Sequence, residues 1–178
     1  STNNQPSWVG EGWSLWPGYV ERSYRSCAET EGKPKTGDLC WVTENAVLSL
    51  GGSTVELVRE GTTRRWRPKA DDGTRVEQLF DAQNGDVRGE HWVVTTTDGT
   101  RYHYGTRPAA ESIWTVPVFG DGPGTGCGGT FATSDCVRAW RWNLDHVEDP
   151  HGNVIDYQYR AETNRYARNQ TESAVSVY

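Results

Sequence analysis

The densest run of titratable side chains is Asp145, His146, Glu148 and Asp149, a set that in a convergent arrangement could hold a metal ion or move a proton in hydrolysis. Its surroundings argue against convergence. Trp140, Trp142, Leu144, His146 and Glu148 alternate with Arg141, Asn143, Asp145 and Val147, the period of two expected of a strand. Strict alternation puts His146 and Glu148 on one face and sends Asp145 and Asp149 towards the other. A turn also accounts for Asp149: the run Asp149, Pro150, His151, Gly152 and Asn153 combines a fixed φ, a residue free to take positive φ, and side chains that bond nearby backbone. Beyond it Ile155, Tyr157 and Tyr159 oppose Asp156, Gln158 and Arg160. Residues 140–160 therefore read as a hairpin. A hydrolase would require a pocket in which His146 or His151 meets a carboxylate from another strand.

The remaining candidates are weaker. His91 and His103 lie on the two arms of a hairpin about Asp98-Gly99. A two-residue type I′ turn there pairs Thr97 with Thr100, Val94 with His103 and Trp92 with Gly105, so the imidazoles do not face each other and no zinc pair is expected. The Gly-rich run 120–129 lacks the Lys-Ser/Thr of a phosphate loop, 81–86 lacks the terminal bidentate Glu of a hand-type calcium loop, and no Gly-x-Ser-x-Gly elbow occurs. No catalytic set, cofactor or metal is expected, and the chain is not read as an enzyme. A net charge of −6 disfavours nucleic acid and anionic membranes as partners, and Arg64, Arg65 and Arg67 read as a solvated strand face. The four cysteines lack C-x-x-C spacing. Of three connectivities, the local one, Cys27 with Cys40 and Cys127 with Cys136, is favoured because short loops meet most readily, and disulfides imply an extracellular setting.

These residues need strands to position them. Nine Trp and eight Tyr against only 34% hydrophobic residues mean that aromatic rings must supply much of the core, which suits a pleated sheet. Turn signals recur about every eight to twelve residues, the rhythm of an all-β protein. Strands are predicted at 19–26, 39–43, 46–50, 54–58, 63–68, 75–80, 91–97, 100–104 and 113–119, with Gly51-Gly52 joining one hairpin; 161–168 reads as a helical turn or a loop. No stretch is long and apolar enough for a membrane span. The expected fold is one all-β region over 1–178, antiparallel hairpins forming a curved sheet. The last residues, Ser173-Ala-Val-Ser-Val-Tyr, read as a strand running onward, so a longer parent protein is expected.

An internal echo then narrows the field. Asp71-Asp-Gly-Thr-Arg-Val, Asp98-Gly-Thr-Arg-Tyr and Asp149-Pro-His-Gly-Asn-Val-Ile-Asp-Tyr each place Asp and Gly at a turn with an alternating strand after it, as in sheets that grow by repeated hairpins. The last of these, with Tyr157-Gln-Tyr159, resembles the YD or Rhs repeat, Asp-x-x-Gly-Asn followed by Tyr-x-Tyr. The opening stretch Trp8-Val-Gly-Glu-Gly-Trp-Ser-Leu-Trp-Pro-Gly-Tyr-Val-Glu-Arg is similar to the start of the shell in Rhs proteins and in toxin-complex B and C components. Asp38-Leu-Cys-Trp and Leu48-Ser-Leu with Glu56-Leu-Val resemble the large wall-associated Rhs proteins secreted by actinobacteria. The resemblance covers nearly the whole chain.

It implies a β-cocoon: a long antiparallel sheet spiralling around a C-terminal toxic domain, with teneurins as adhesive relatives. Only one repeat matches well, at Asp149, Pro150, Gly152, Asn153, Tyr157 and Tyr159, which suggests an early part of the shell. The family's self-cleaving core is not recognisable, so no catalytic residue carries over. The expected role is structural, encapsulating and delivering a toxin in interbacterial or host-directed competition. The expected partners are the rest of the shell, the enclosed toxin and, through exposed strand edges, further copies; the expected location is extracellular or cell-wall associated. The alternative is a carbohydrate-binding or adhesion module using Trp8, Trp13, Trp16, Tyr102 and Tyr104.

Overall fold

Short alternating runs separated by Gly, Asn and Asp build fourteen strands and no α-helix among the residues that the computed structural model describes, 17–120, 127, 128, 130–169 and the backbone of 172–177. Nine short strands come first: β1 (Tyr19–Glu21), β2 (Arg25–Ser26), β3 (Leu39–Cys40), β4 (Ala46–Leu50), β5 (Ser53–Arg59), β6 (Arg65–Pro68), β7 (Arg75–Leu79), β8 (His91–Thr95) and β9 (Arg101–Tyr104). The longer β10 (Ile113–Phe119) and β11 (Cys136–Glu148) follow, then β12 (Val154–Asp156), β13 (Thr163–Arg168) and β14 (Glu172–Val177).

From β4 to β9 each strand pairs antiparallel with the next in sequence. The sheet closes because β1 pairs with both β4 and β11, and β11 also pairs with β9. Eight strands, β1-β4-β5-β6-β7-β8-β9-β11, thus form an antiparallel barrel, and β10, β3, β2 and β12 extend it. The predicted curved antiparallel sheet is found, curved far enough to meet itself. The seam is β11, thirteen residues long, whose first half pairs with β10 and β1 and whose last half pairs with β9 and β12. Closure demands close approach at β1. Gly18 has φ +98°, and a Cβ there would stand 2.4 Å from the Ser49 carbonyl oxygen. Its own carbonyl accepts from Leu144 N at 3.2 Å, so the Pro-Gly-Tyr of the opening motif is the wedge between β4 and β11.

The interior takes one to three side chains from each barrel strand: Val20, Ala46, Leu48, Leu57, Trp66, Val76, Trp92, Val94, Tyr104, Ala139, Trp142 and Leu144. Trp66, Trp92 and Trp142 form a chain of edge-to-face contacts with centroids 5.4 and 5.8 Å apart, so aromatic rings do supply the core. At one end the interior turns polar. Arg22 donates from both Nη atoms to the Glu90 carboxylate at 2.7 Å, Gln78 Nε2 donates to Glu90 Oε1 at 2.9 Å, and Trp66 Nε1 donates to Gln78 Oε1 at 3.2 Å. Arg22 and Glu90 are 3% and 2% exposed. The adjoining carboxylate raises the affinity of Arg22 for its proton even though burial opposes the charge.

Three local expectations are corrected. The Asp98-Gly99 connection is not a two-residue type I′ turn. Thr96 N donates to Thr100 O, Gly99 N donates to Thr96 O, and Gly99 alone in the turn has positive φ, +88°, the pattern of a three-residue loop with a glycine bulge. Register shifts by one: Thr95 pairs with Arg101, Val94 with Tyr102 and Val93 with His103. A one-residue slip exchanges the faces, so Tyr102 turns to the core and His103 to the outside. Second, β11 carries a bulge between Leu144 and His146. Trp142 and Leu144 point inward, but beyond the bulge it is Val147 that packs on the core, opposite Tyr102, while His146 and Glu148 lie outside. Third, 163–168 is strand β13, paired with β14, because the partner segment supplies a ladder that the local pattern alone does not reveal.

Candidate functional site

The bulge that reverses β11 also assembles its titratable residues. Asp145, fully buried, accepts from Thr106 Oγ1, Arg107 N and Ser112 Oγ, each at 2.8 Å. It therefore anchors the segment between β9 and β10 and is committed to structure. His146 sits directly opposite His103 on β9 and, on its other side, opposite Asp156 on β12. Glu148 follows on the same outer face, opposite Arg101.

The result is a group on the barrel wall. One donor atom each from His103, His146 and Glu148 lies within 4.8 Å of the other two, and the two imidazole centroids are 5.2 Å apart. His146 Nδ1 bonds Asp156 Oδ1 at 2.6 Å, and this contact holds the Asp156 carboxyl below the usual carboxylate range. Arg107 Nη1 also reaches Asp156 Oδ1, at 2.5 Å, and Arg101 Nη1 lies 3.9 Å from Glu148 Oε2. His103 Nε2 is buried without a hydrogen-bond partner. Burial, then Arg101 and His146, push the pKa of His103 below the usual imidazole range. Sequence reasoning had the same-face relation of His146 and Glu148 but missed the third donor, because the β9–β11 register is a long-range property. The condition set for a hydrolase is half met: His146 does meet a carboxylate from another strand, but three cavities found among the described residues are lined by other residues, one of them by Arg65, Trp66, Arg75 and Thr95.

The repeat-like turns gather at one rim. Asp149 Oδ1 accepts from His151 N at 2.8 Å and Asn153 N at 2.9 Å, and Asn153 Nδ2 donates to Asp149 Oδ2 at 2.7 Å. These bonds, that of Asn153 foremost, lower the Asp149 pKa. Asp149 N donates to Asn153 O and Gly152 N to Asp149 O, the same pair of bonds that closes Thr96–Thr100. A Cβ on Gly99 would stand 3.0 Å from Pro150 Cγ, and one on Gly73 would stand 2.8 Å from Thr97 Cγ2. The three Asp-Gly echoes are thus spatial neighbours. Of the repeat tyrosines, Tyr157 packs on the core and Tyr159 donates its hydroxyl to Leu144 O at 2.7 Å.

The remaining predicted residues fall as follows. Cys27 is bonded to Cys40 and Cys127 to Cys136, with Cα separations of 5.0 and 5.9 Å. Cys27 and Cys40 form a small second core with Phe119, on which Phe131 packs. Two disulfides point to an oxidising, extracellular setting, and no helix among the described residues is long and apolar enough to cross a membrane. Tyr104 is removed from any sugar platform: it is fully buried, opposite Trp92. Tyr102 is partly buried against the core. Trp8, Trp13 and Trp16 lie outside the described residues.

Residues 34–176 match the family described as Salmonella virulence plasmid 65kDa B protein, SpvB, a family related to the toxin-complex and Rhs proteins. No curated protein and no solved structure matches the chain.

Proposed function

Because the chain belongs to the SpvB family, which its match over 34–176 establishes, we propose that it is a structural segment of a secreted toxin shell, one that helps to enclose and deliver a toxic domain carried elsewhere in its parent protein. The family membership is the observation that carries this reading. The architecture suits a building block of such a shell: short antiparallel hairpins closed along β11 and stapled by two disulfides fit an oxidising environment, and because side chains fill the barrel's own interior, the enclosure is made together with the rest of the shell. The wall also has edges onto which a larger sheet can grow, since among the described residues β12 pairs with β11 alone and β2 with β3 alone. In this reading the partners are the remainder of the shell and its cargo, and the segment performs no chemistry.

Limited proteolysis of the full-length protein tests it. In the wild type, the sequence beyond the shell is protected until the shell unfolds. Gly18→Arg, which drives a side chain into the Ser49 carbonyl and opens the β1 seam, exposes that sequence to cleavage. Equal cleavage in both proteins, with the variant's seam shown open by amide exchange, counts against containment.

A further inference from the structure

We propose that His103, His146 and Glu148 form a binding site for a borderline divalent transition ion, Zn²⁺ in the first instance, on the outer wall of the barrel where β9 meets β11. This does not rest on the shell reading, which assigns the cluster no role. Two imidazoles and a carboxylate are a donor set suited to zinc, and three protein donors leave a fourth tetrahedral position for water. Their donor atoms lie mutually within 4.8 Å, against the roughly 3.4 Å spacing of ligands about 2.1 Å from a tetrahedral ion, so binding draws them closer together.

Two independent observations favour a ligand over an ordinary polar cluster. The first is His103 Nε2, buried without a hydrogen-bond partner beside a second imidazole; a buried polar atom in that condition calls for a partner, and a metal ion is one. The second is the bond from His146 Nδ1 to Asp156 Oδ1 at 2.6 Å. It occupies one ring nitrogen and leaves Nε2 to coordinate, the outer-shell carboxylate arrangement that orients metal-ligating histidines. The backbone supplies the rest. His103 and His146 are register partners, and Glu148 stands two residues further along the same face, so the donors lie on paired strands rather than on a loop. A bound ion would tie β9 to β11 next to β12. Arg101, 3.9 Å from Glu148, competes for the carboxylate.

The full chain is titrated with Zn²⁺ by calorimetry against a competing chelator, and Co²⁺ absorption reports coordination geometry. One equivalent is expected to bind, with tetrahedral Co²⁺ bands. His146→Gln and His103→Gln weaken Zn²⁺ binding at least 100-fold. Asp156→Asn weakens it about 10- to 100-fold, as loss of an outer-shell partner does, and Arg101→Ala tightens it. His151→Gln, in the adjacent turn, changes nothing. Circular dichroism establishes that each variant is folded; His146 and Asp156 are partly exposed, so their variants remain informative if His103→Gln does not fold. Zn²⁺ binding equal in wild type and His146→Gln, or binding lost in His151→Gln, overturns the proposal.

Discussion

The ion pair between Arg22 and Glu90 is the most deeply buried of the salt bridges among the described residues. Both side chains are almost completely buried, and Glu90 also accepts from Gln78 while its backbone carbonyl accepts from Trp142 Nε1 at 2.6 Å. Arg22 lies beneath two rings as well, 5.2 Å from the centroid of Trp142 and 5.4 Å from that of Trp41. Burying two charges is costly, and their attraction offsets that cost only while both are present. Glu90→Ala is therefore expected to destabilise the fold by about 3–5 kcal/mol, because it leaves a buried guanidinium unpaired. Arg22→Met combined with Glu90→Leu should recover part of that loss, since no charge then remains inside. Urea denaturation of the single and double variants measures both; a double variant no more stable than Glu90→Ala would show that the pair contributes more than the removal of its desolvation cost returns.

At the level of elements, β1 and β11 decide whether the sheet is open or closed. β1 has only three residues and contributes little area, yet it bridges β4 and β11, and its approach is set by Gly18. A side chain at Gly18 meets backbone at 2.4 Å in addition to an unfavourable φ of +98°. Gly18→Ala should cost about 2 kcal/mol or more. Gly51→Ala, at a hairpin glycine with positive φ but open space around it, should cost less. Urea midpoints of the two variants test the comparison, and equal losses would show that the seam is not under steric constraint. The bulge in β11 is the second decisive feature. It sends Val147 to the core and His146 to the surface, and the buried Asp145 fastens it to the segment between β9 and β10, which is how a bulge becomes a fixed part of a strand.

For the molecule as a whole, the question is what covers its remaining edges. β12 carries Val154 and Ile155, 57% and 54% exposed, on a strand paired on one side among the described residues. Such an edge is a template for another strand. The isolated chain is expected to self-associate at high concentration, and Val154→Lys with Ile155→Lys should return it to monomer. Light scattering decides: a monodisperse wild type across the concentration range would mean that this edge is not a docking edge.

Much of this was legible in the residues themselves. Aromatic-rich alternation and recurrent Asp-Gly turns determined an all-β chain, the order of its hairpins and the neighbours within each, because a turn and its flanking strands are local. The local cysteine pairing follows from loop closure, and the role of Asp149 from the chemistry of its own side chain. Tertiary structure alone decided three things. Closure required β1 to meet β11, more than a hundred residues away in sequence, and no local pattern encodes that pairing. The face of His146 depended on a bulge held by Thr106, Arg107 and Ser112, and the face of His103 on a single added residue in a turn; since strand side chains alternate, one residue of register is enough to exchange inside and outside. The convergence of His103, His146 and Glu148 is the product of both.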